Sequence, residues 1–167
     1  MLETLPHRLN GKVLILGVGN PLRGDDGVGP YLIEQLKGRV NATLLDCEEV
    51  PENFLGRIAE SQPNSVLIID AIDFGMNPGA AALLEEDQLL AGTSLSTHHS
   101  SLQLFIKWVK AETGGQVLVL GIQPGAIEFG NDMSPEVKET VDLLRLIIIG
   151  ALSPGELPNS RSLDMPQ

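Results

Sequence analysis

The hydrophobic pattern begins at Lys12 to Gly19 (KVLILGVG), an almost unbroken apolar run rich in branched residues and closed by glycines. A run this short, without alternation, predicts a strand buried on both faces. After a loop rich in Gly, Pro and Asp, Val28, Leu32, Ile33 and Leu36 fall at helical spacing, predicting a helix over Val28 to Lys37 with Pro30 tolerated in its first turn. Val40 to Asp46 reads as a second strand, Glu52 to Glu60 as a short helix with Phe54, Leu55 and Ile58 on one side, and Ser65 to Asp70 (SVLIID) as a third strand. Phe74 to Gly79 is a turn, and Ala80 to Leu84 a short edge strand. Ser100 and Gln103 have the spacing of a capping box. They open a helix to about Glu112, in which Leu102, Phe105, Ile106 and Val109 share a face, and Gly114-Gly115 ends it. Gln116 to Ile122 (QVLVLGI) is another buried strand, and Ser134 caps a last helix that starts at Pro135 and runs to about Ile149. Strands and helices in alternation predict an α/β fold. The expected form is a single three-layer domain over residues 1–151, with a twisted, mostly parallel sheet of about five strands and helices on both faces. The segment 152–167, with three prolines and little apolar material, is expected to be disordered.

Composition narrows the function classes. With 167 residues, 43% of them hydrophobic, the chain is long enough for one well-buried core. No apolar run approaches the roughly 20 residues of a membrane span, and MLETLPHRLN lacks the basic end and apolar stretch of a signal peptide, so a soluble, unprocessed protein is expected. The single cysteine, Cys47, excludes an internal disulfide and any multi-cysteine metal site, which suits a reducing cytoplasm. Eleven basic against twenty-two acidic residues leave a formal charge of -11, which repels a phosphate backbone and an anionic membrane. Neither nucleic acid nor membrane is expected as a partner.

In an open parallel sheet the loops leaving the carboxyl ends of the strands build the site. Here they are rich in acids: Asp25 and Asp26 after the first strand, Asp46, Glu48 and Glu49 after the second, Asp70 and Asp73 after the third, with Thr97-His98-His99 before a helix. Gly17-Val18-Gly19 between a strand and a helix invites a dinucleotide reading, but the third glycine is missing at Leu22, and Asp25 and Asp26 stand where pyrophosphate would have to approach. Carboxylates with an imidazole suit a metal better, and two acids and one histidine leave coordination positions open for water or substrate. Structural explanations stand beside these. Asp25 or Asp26 is a natural helix cap, Asp70 a strand terminus, and one of His98 and His99 a polar residue near Ser100. His7 lies in an N-terminal tail with no role. Cys47 has no histidine nearby in sequence and reads as a small buried residue rather than a nucleophile.

Five segments in order, LGVGNPLRGDDGVGP (Leu16 to Pro30), Pro51 to Asn53, IIDAIDFGMNPG (Ile68 to Gly79), STHHSSL (Ser96 to Leu102) and LGIQP (Leu120 to Pro124), resemble the hydrogenase maturation endopeptidase family. Its members trim the C-terminus of the large subunit of nickel–iron hydrogenases, and the resemblance is closest to the branch serving formate-hydrogenlyase-type enzymes, with Asp at position 26. The resemblance implies a twisted α/β sheet with helices on both faces and metal-contacting residues Asp26, Asp70 and His98. It also implies a nickel ion that arrives already inserted in the precursor. It thus implies a cytoplasmic endopeptidase, acting as a monomer in a transient complex with the large-subunit precursor. The nickel would position or acidify a water, or polarise the scissile carbonyl, with one carboxylate as base. A non-catalytic nickel-binding or quality-control module would need the same ligands. One departure stands out: many members have Asp-Gly-Gly after the second strand, where this chain has Asp46-Cys47-Glu48, which puts precursor choice in question. Asp73 also matches but ranks below the three ligands. A ligating imidazole must be neutral, so the rate is expected to fall as pH drops below about 6.5. A pH–rate profile checks this, and a rate undiminished at pH 5 removes His98 from the ligand set.

Overall fold

The computed structural model describes residues 2–91 and 97–154, with side chains placed for 2–89 and 101–154. In chain order the elements are α1 (Leu5–Arg8), β1 (Val13–Gly17), α2 (Val28–Leu36), β2 (Thr43–Asp46), α3 (Leu55–Ser61), β3 (Ser65–Ala71), β4 (Ala81–Leu84), α4 (Glu86–Ala91), α5 (Thr97–Thr113), β5 (Gln116–Ile122) and α6 (Pro135–Leu152). Short 3₁₀ turns cover Leu2–Thr4, Gly24–Gly27 and Pro51–Phe54. The five strands form one sheet in the order β2-β1-β3-β5-β4. The first four are parallel and β4 is antiparallel to β5, pairing Ala81 with Ile122 and Leu84 with Val119.

The unbroken apolar runs are explained by two cores. Ile15, Leu67, Ile69, Leu118 and Leu120 point to one face, against Leu5 of α1, Leu32 and Leu36 of α2, and Val141, Leu144 and Ile148 of α6. Leu14, Leu16, Val66, Ile68, Val117 and Val119 point to the other, against Ile58 of α3 and Phe105, Ile106 and Val109 of α5. Each fully buried Leu or Ile contributes about 1.5–3 kcal/mol, so both helical layers are held mainly by apolar burial. The expected three-layer α/β domain is what the chain forms. Among the described residues no helix is long and apolar enough to cross a membrane.

Several elements differ from the sequence reading. The N-terminal segment is no loose tail: α1 buries Leu5 completely, Leu9 is 7% exposed, and His7 on the same turn stays exposed. Four residues are too few to show a helical period. The helix α4 is likewise a short tertiary docking, through Leu89. Helix α5 starts at Thr97, so Ser100 is inside it rather than at its cap, and the Gln103 side-chain amide donates to the Leu89 carbonyl (3.2 Å) instead of closing a capping box. Helix α6 runs past Ile149 to Leu152. Of the segment expected to be disordered, residues 155–167 lie outside the described residues.

Ser134 occupies the N-cap position of α6 as expected, yet its hydroxyl serves another group. The Asp25 carboxylate, with no exposed surface, accepts from the amides of Gly125 (2.7 Å), Ala126 (2.9 Å) and Ser134 (2.7 Å), and also from the Ser134 hydroxyl. The Asp25 amide in turn donates to the Ala126 carbonyl (2.9 Å). Asp25 is therefore not a cap of α2, whose N-cap is Gly27 with no side-chain bond. It pins the loop after β1 to the loop between β5 and α6. Burial pushes the Asp25 carboxyl up, and the bonds from Ser134, Ala126 and Gly125 more than offset it, leaving the group below the ordinary aspartate range.

Cys47 is fully buried in the second core, its amide donating to the Gly17 carbonyl (2.8 Å). Burial pushes its thiol up to about 12; Asp46 and Glu48 add to this and Arg57 opposes it. A thiol held protonated and covered is no nucleophile.

Asp25→Asn replaces a four-fold acceptor with an amide whose NH₂ meets N–H donors, and is expected to cost about 2–3 kcal/mol, read from urea midpoints. Because the folded-state pKa is lowered, the stabilisation by Asp25 is present above the unfolded value of about 3.9 and is lost as pH falls through the folded value. The wild-type midpoint should therefore drop in that window more than that of Asp25→Asn. For Cys47, an aromatic disulfide reagent at pH 8 should label the native chain no faster than it unfolds and react at once in denaturant.

Candidate active site

The strand order reverses between β1 and β3: β1 leads outward to β2 on one side, and β3 has β5 on the other. Ligands of open α/β sheets bind at such a reversal, beyond the carboxyl ends of the strands, because the two outgoing chains part there. β1 ends at Gly17 opposite Ile69, and the Val18 amide adds one more bond to the Ile69 carbonyl (2.9 Å) before the chain turns away. Asp70 is the next residue along β3, so it stands where its neighbour on one side has gone. A crevice of about 320 Å³ opens here, walled by Val18, Gly19, Arg23, Asp26, Glu49, Asp70, Ala71, Ile72, Asp73, Leu102, Pro124 and Ile127.

Asp26 and Asp70 thus meet in one crevice, as the sequence suggested. Asp26 is half-buried, and its Oδ2 accepts from the Asn20 amide (2.9 Å), while the Asn20 side chain accepts from the Leu22 amide (2.9 Å). That turn faces Asp26 into the crevice, so it too is no helix cap. It requires Gly19: φ is +135°, and a Cβ there would lie 1.8 Å from the Asp26 carbonyl oxygen. Asp70 reaches solvent through the crevice, yet protein packs densely around its carboxyl. Burial first, and the Asp26 charge second, raise Asp70 well above the ordinary aspartate range, with only the Ala71 amide opposing. A cation arriving between two such carboxylates relieves both causes, because it replaces lost water and opposes like charge. The donor set is oxygen-rich and suits a divalent ion. Among the described residues no three His, Cys, Asp or Glu groups are close enough to hold one unaided.

His98 lies in the first turn of α5, one turn before Leu102, whose side chain lines the crevice. The side chains of His98 and His99 lie outside the described residues, so the structure carries the helix start to the crevice and no further. Asp73 is exposed, its Oδ1 accepting from the Gly75 amide (3.0 Å) and from the Gln123 side chain (3.1 Å). Gln123 is a residue whose role sequence reasoning missed. It is 6% exposed and also accepts from the amides of Phe74 (2.9 Å) and Met76 (3.2 Å), fixing the loop after β3. Arg23, also missed, is the one basic side chain in the crevice wall among the described residues; its Nε donates to the Ile127 carbonyl (3.3 Å) and Nη1 lies 3.9 Å from Glu49.

Dinucleotide binding at Gly17-Val18-Gly19 finds no support in the geometry. Phosphate needs free amides, but Val18 donates to Ile69, Gly19 to the Glu48 carbonyl (2.8 Å) and Asn20 to Asp26. The Asp46-Cys47-Glu48 departure also acquires a physical reading. Glu48 has φ +54°, the left-handed region that favours glycine, and its amide donates to Asp46 Oδ1 (2.9 Å). The loop thus keeps a glycine-like path at position 48 with a side chain on it, while Cys47 fills core volume that a glycine would leave empty.

Comparison with known proteins agrees with this architecture. The family profile described as HycI, hydrogenase maturation protease, matches residues 28–151. The hydrogenase 3 maturation protease of Escherichia coli K12 is 35% identical over 131 residues, spanning 77% of this chain and 83% of its own length. The crystal structure of the nickel–iron hydrogenase maturation protease HycI from Thermococcus kodakarensis superposes with a TM-score of 0.81 at 32% identity, covering 89% of this chain and 98% of that one. The solution structure of the endopeptidase HycI from Escherichia coli gives 0.75 at 34% identity, with 84% and 90% covered. With sequence and fold in agreement over most of its length, the chain belongs to the HycI family of hydrogenase maturation proteases.

Proposed function

We propose that this protein is an endopeptidase that removes a C-terminal peptide from the large-subunit precursor of a nickel–iron hydrogenase once nickel has been inserted, acting as a monomer in the cytoplasm. The observation that carries this reading is the meeting of Asp26 and Asp70 in one crevice at the strand reversal of a chain whose relatives are maturation proteases. The lone buried cysteine supports a reducing compartment. In this reading nickel belongs to the substrate. A loaded precursor presents a cation to two carboxylates that repel one another, with His98 adding a neutral imidazole, whereas an empty precursor leaves the repulsion unrelieved. Discrimination between loaded and empty substrate then follows from electrostatics, since only the loaded form gains by entering. Once the precursor is seated, its metal positions or acidifies a water, or polarises the scissile carbonyl, and a crevice carboxylate accepts the proton.

The test is the intact mass of purified precursor, with and without nickel, after incubation with this protein. Loss of a C-terminal peptide from the loaded form alone is expected. No change in either form, beside an active control protease, would sink the reading. His98→Ala should abolish processing and His99→Ala retain most of it; equal loss from both would remove His98 from its role. Asp70→Asn should lose more than about 100-fold in rate. It should also melt above wild type at pH 7, because the amide removes a charge that burial and Asp26 disfavour. A lower melting temperature would mean that Asp70 holds the fold together.

A further inference from the structure

The two loops that flank the crevice also carry three large apolar side chains turned to solvent: Leu22 is 61% exposed, Ile127 45% and Phe129 74%. They are neighbours through the backbone. The Gly130 amide donates to the Leu22 carbonyl (2.8 Å), Arg23 Nε to the Ile127 carbonyl (3.3 Å), and the Gly24 amide to the Asn131 carbonyl (3.1 Å). Single exposed apolar residues are ordinary on a protein surface, but a group of them on the rim of a crevice marks a contact surface. The two loops are joined by the buried Asp25 carboxylate, so the surface is preformed and little ordering is needed to use it. It is continuous with the crevice, because Ile127 belongs to both.

We infer that Leu22, Ile127 and Phe129 form a docking platform for an apolar stretch of the precursor that leads into the crevice. This rests on the protease reading. Charge selects the occupant. The adjoining wall carries Asp26, Glu49, Asp70 and Asp73 against Arg23, and the chain as a whole carries a formal charge of -11. A second copy docking through the same patch would bring these acids face to face, and an acidic peptide meets the same repulsion. The segment that fits has apolar side chains without carboxylates beside them.

The experiment compares wild type, the triple variant Leu22→Ser/Ile127→Ser/Phe129→Ser, and the control Leu143→Ser/Leu146→Ser on the exposed side of α6 (58% and 60% exposed), using nickel-loaded precursor. The platform variant should melt with wild type and raise KM at least about tenfold, the loss falling on KM rather than kcat, while the control stays at wild-type values. An unchanged KM, or an equal rise in the control, overturns the platform. Sedimentation of the wild type as a dimer that the triple variant dissolves would assign the patch to a second copy, which also overturns it. If wild type cleaves no precursor the protease reading falls, and direct binding decides the platform separately: precursor retained by wild type and released by the triple variant upholds it, equal retention ends it.

Discussion

The Asp25 carboxylate is the constraint on which the site end of the molecule depends. It has no contact with solvent, so every lone pair must be met from within, and the amides of Gly125, Ala126 and Ser134 with the Ser134 hydroxyl meet them. Two loops about a hundred residues apart in sequence are thereby fixed as one surface. Asp26, Arg23 and Leu22 ride on one of them, and Ile127 and Phe129 on the other. The same carboxylate takes the hydroxyl that would have capped α6, whose start is then anchored by Pro135 and by the bonds to Asp25 rather than by its own cap. Adjacent aspartates thus have opposite fates: Asp25 is satisfied and structural, whereas Asp26 faces the crevice and, among the described residues, accepts from one amide.

The crevice shows the converse economy. At Asp70 the sheet places a carboxyl where burial and a like charge both disfavour ionisation, and only one amide compensates. Such a group is a burden on the folded state that the apolar layers on both sheet faces can carry. In the function proposed above, this unrelieved charge is what a cation brought by the precursor would meet. The strand order makes this possible, since β1 leaves the sheet one residue before Asp70 and opens space beside it.

The loop after β2 takes a backbone path that favours glycine with a side chain on it. Glu48 holds a left-handed conformation that costs of the order of 1 kcal/mol for a side-chain-bearing residue. The Asp46 side chain offsets part of this by accepting from the Glu48 amide, and the Glu48 carbonyl accepts from Gly19, tying the loop to the turn that seats Asp26. Cys47, meanwhile, is core. This stretch of the loop thus adds packing through Cys47 and an exposed charge through Glu48.

Much of this was legible in the chain. Apolar runs such as VLILG, SVLIID and QVLVLGI can be accommodated only as strands covered on both faces, so the three-layer α/β fold and its parallel core follow from composition and period alone. The places of Asp26 and Asp70 followed too, because strand ends in such a sheet converge on one edge. The short helices α1 and α4 were not legible, since their few residues take their conformation from what they dock against. Ser134 and Gln103 carried true local signals that tertiary partners, Asp25 and Leu89, redirected. The role of Asp25 itself could not be read, because a sequence shows which groups are polar but not which donors, a hundred residues away, will be brought to meet them. Local pattern determined the elements and the edge on which chemistry would gather. Only the closed structure decided which of two neighbouring acids would be buried as a joint and which would be left facing the crevice, because burial and hydrogen-bond satisfaction exist only once distant loops are in contact.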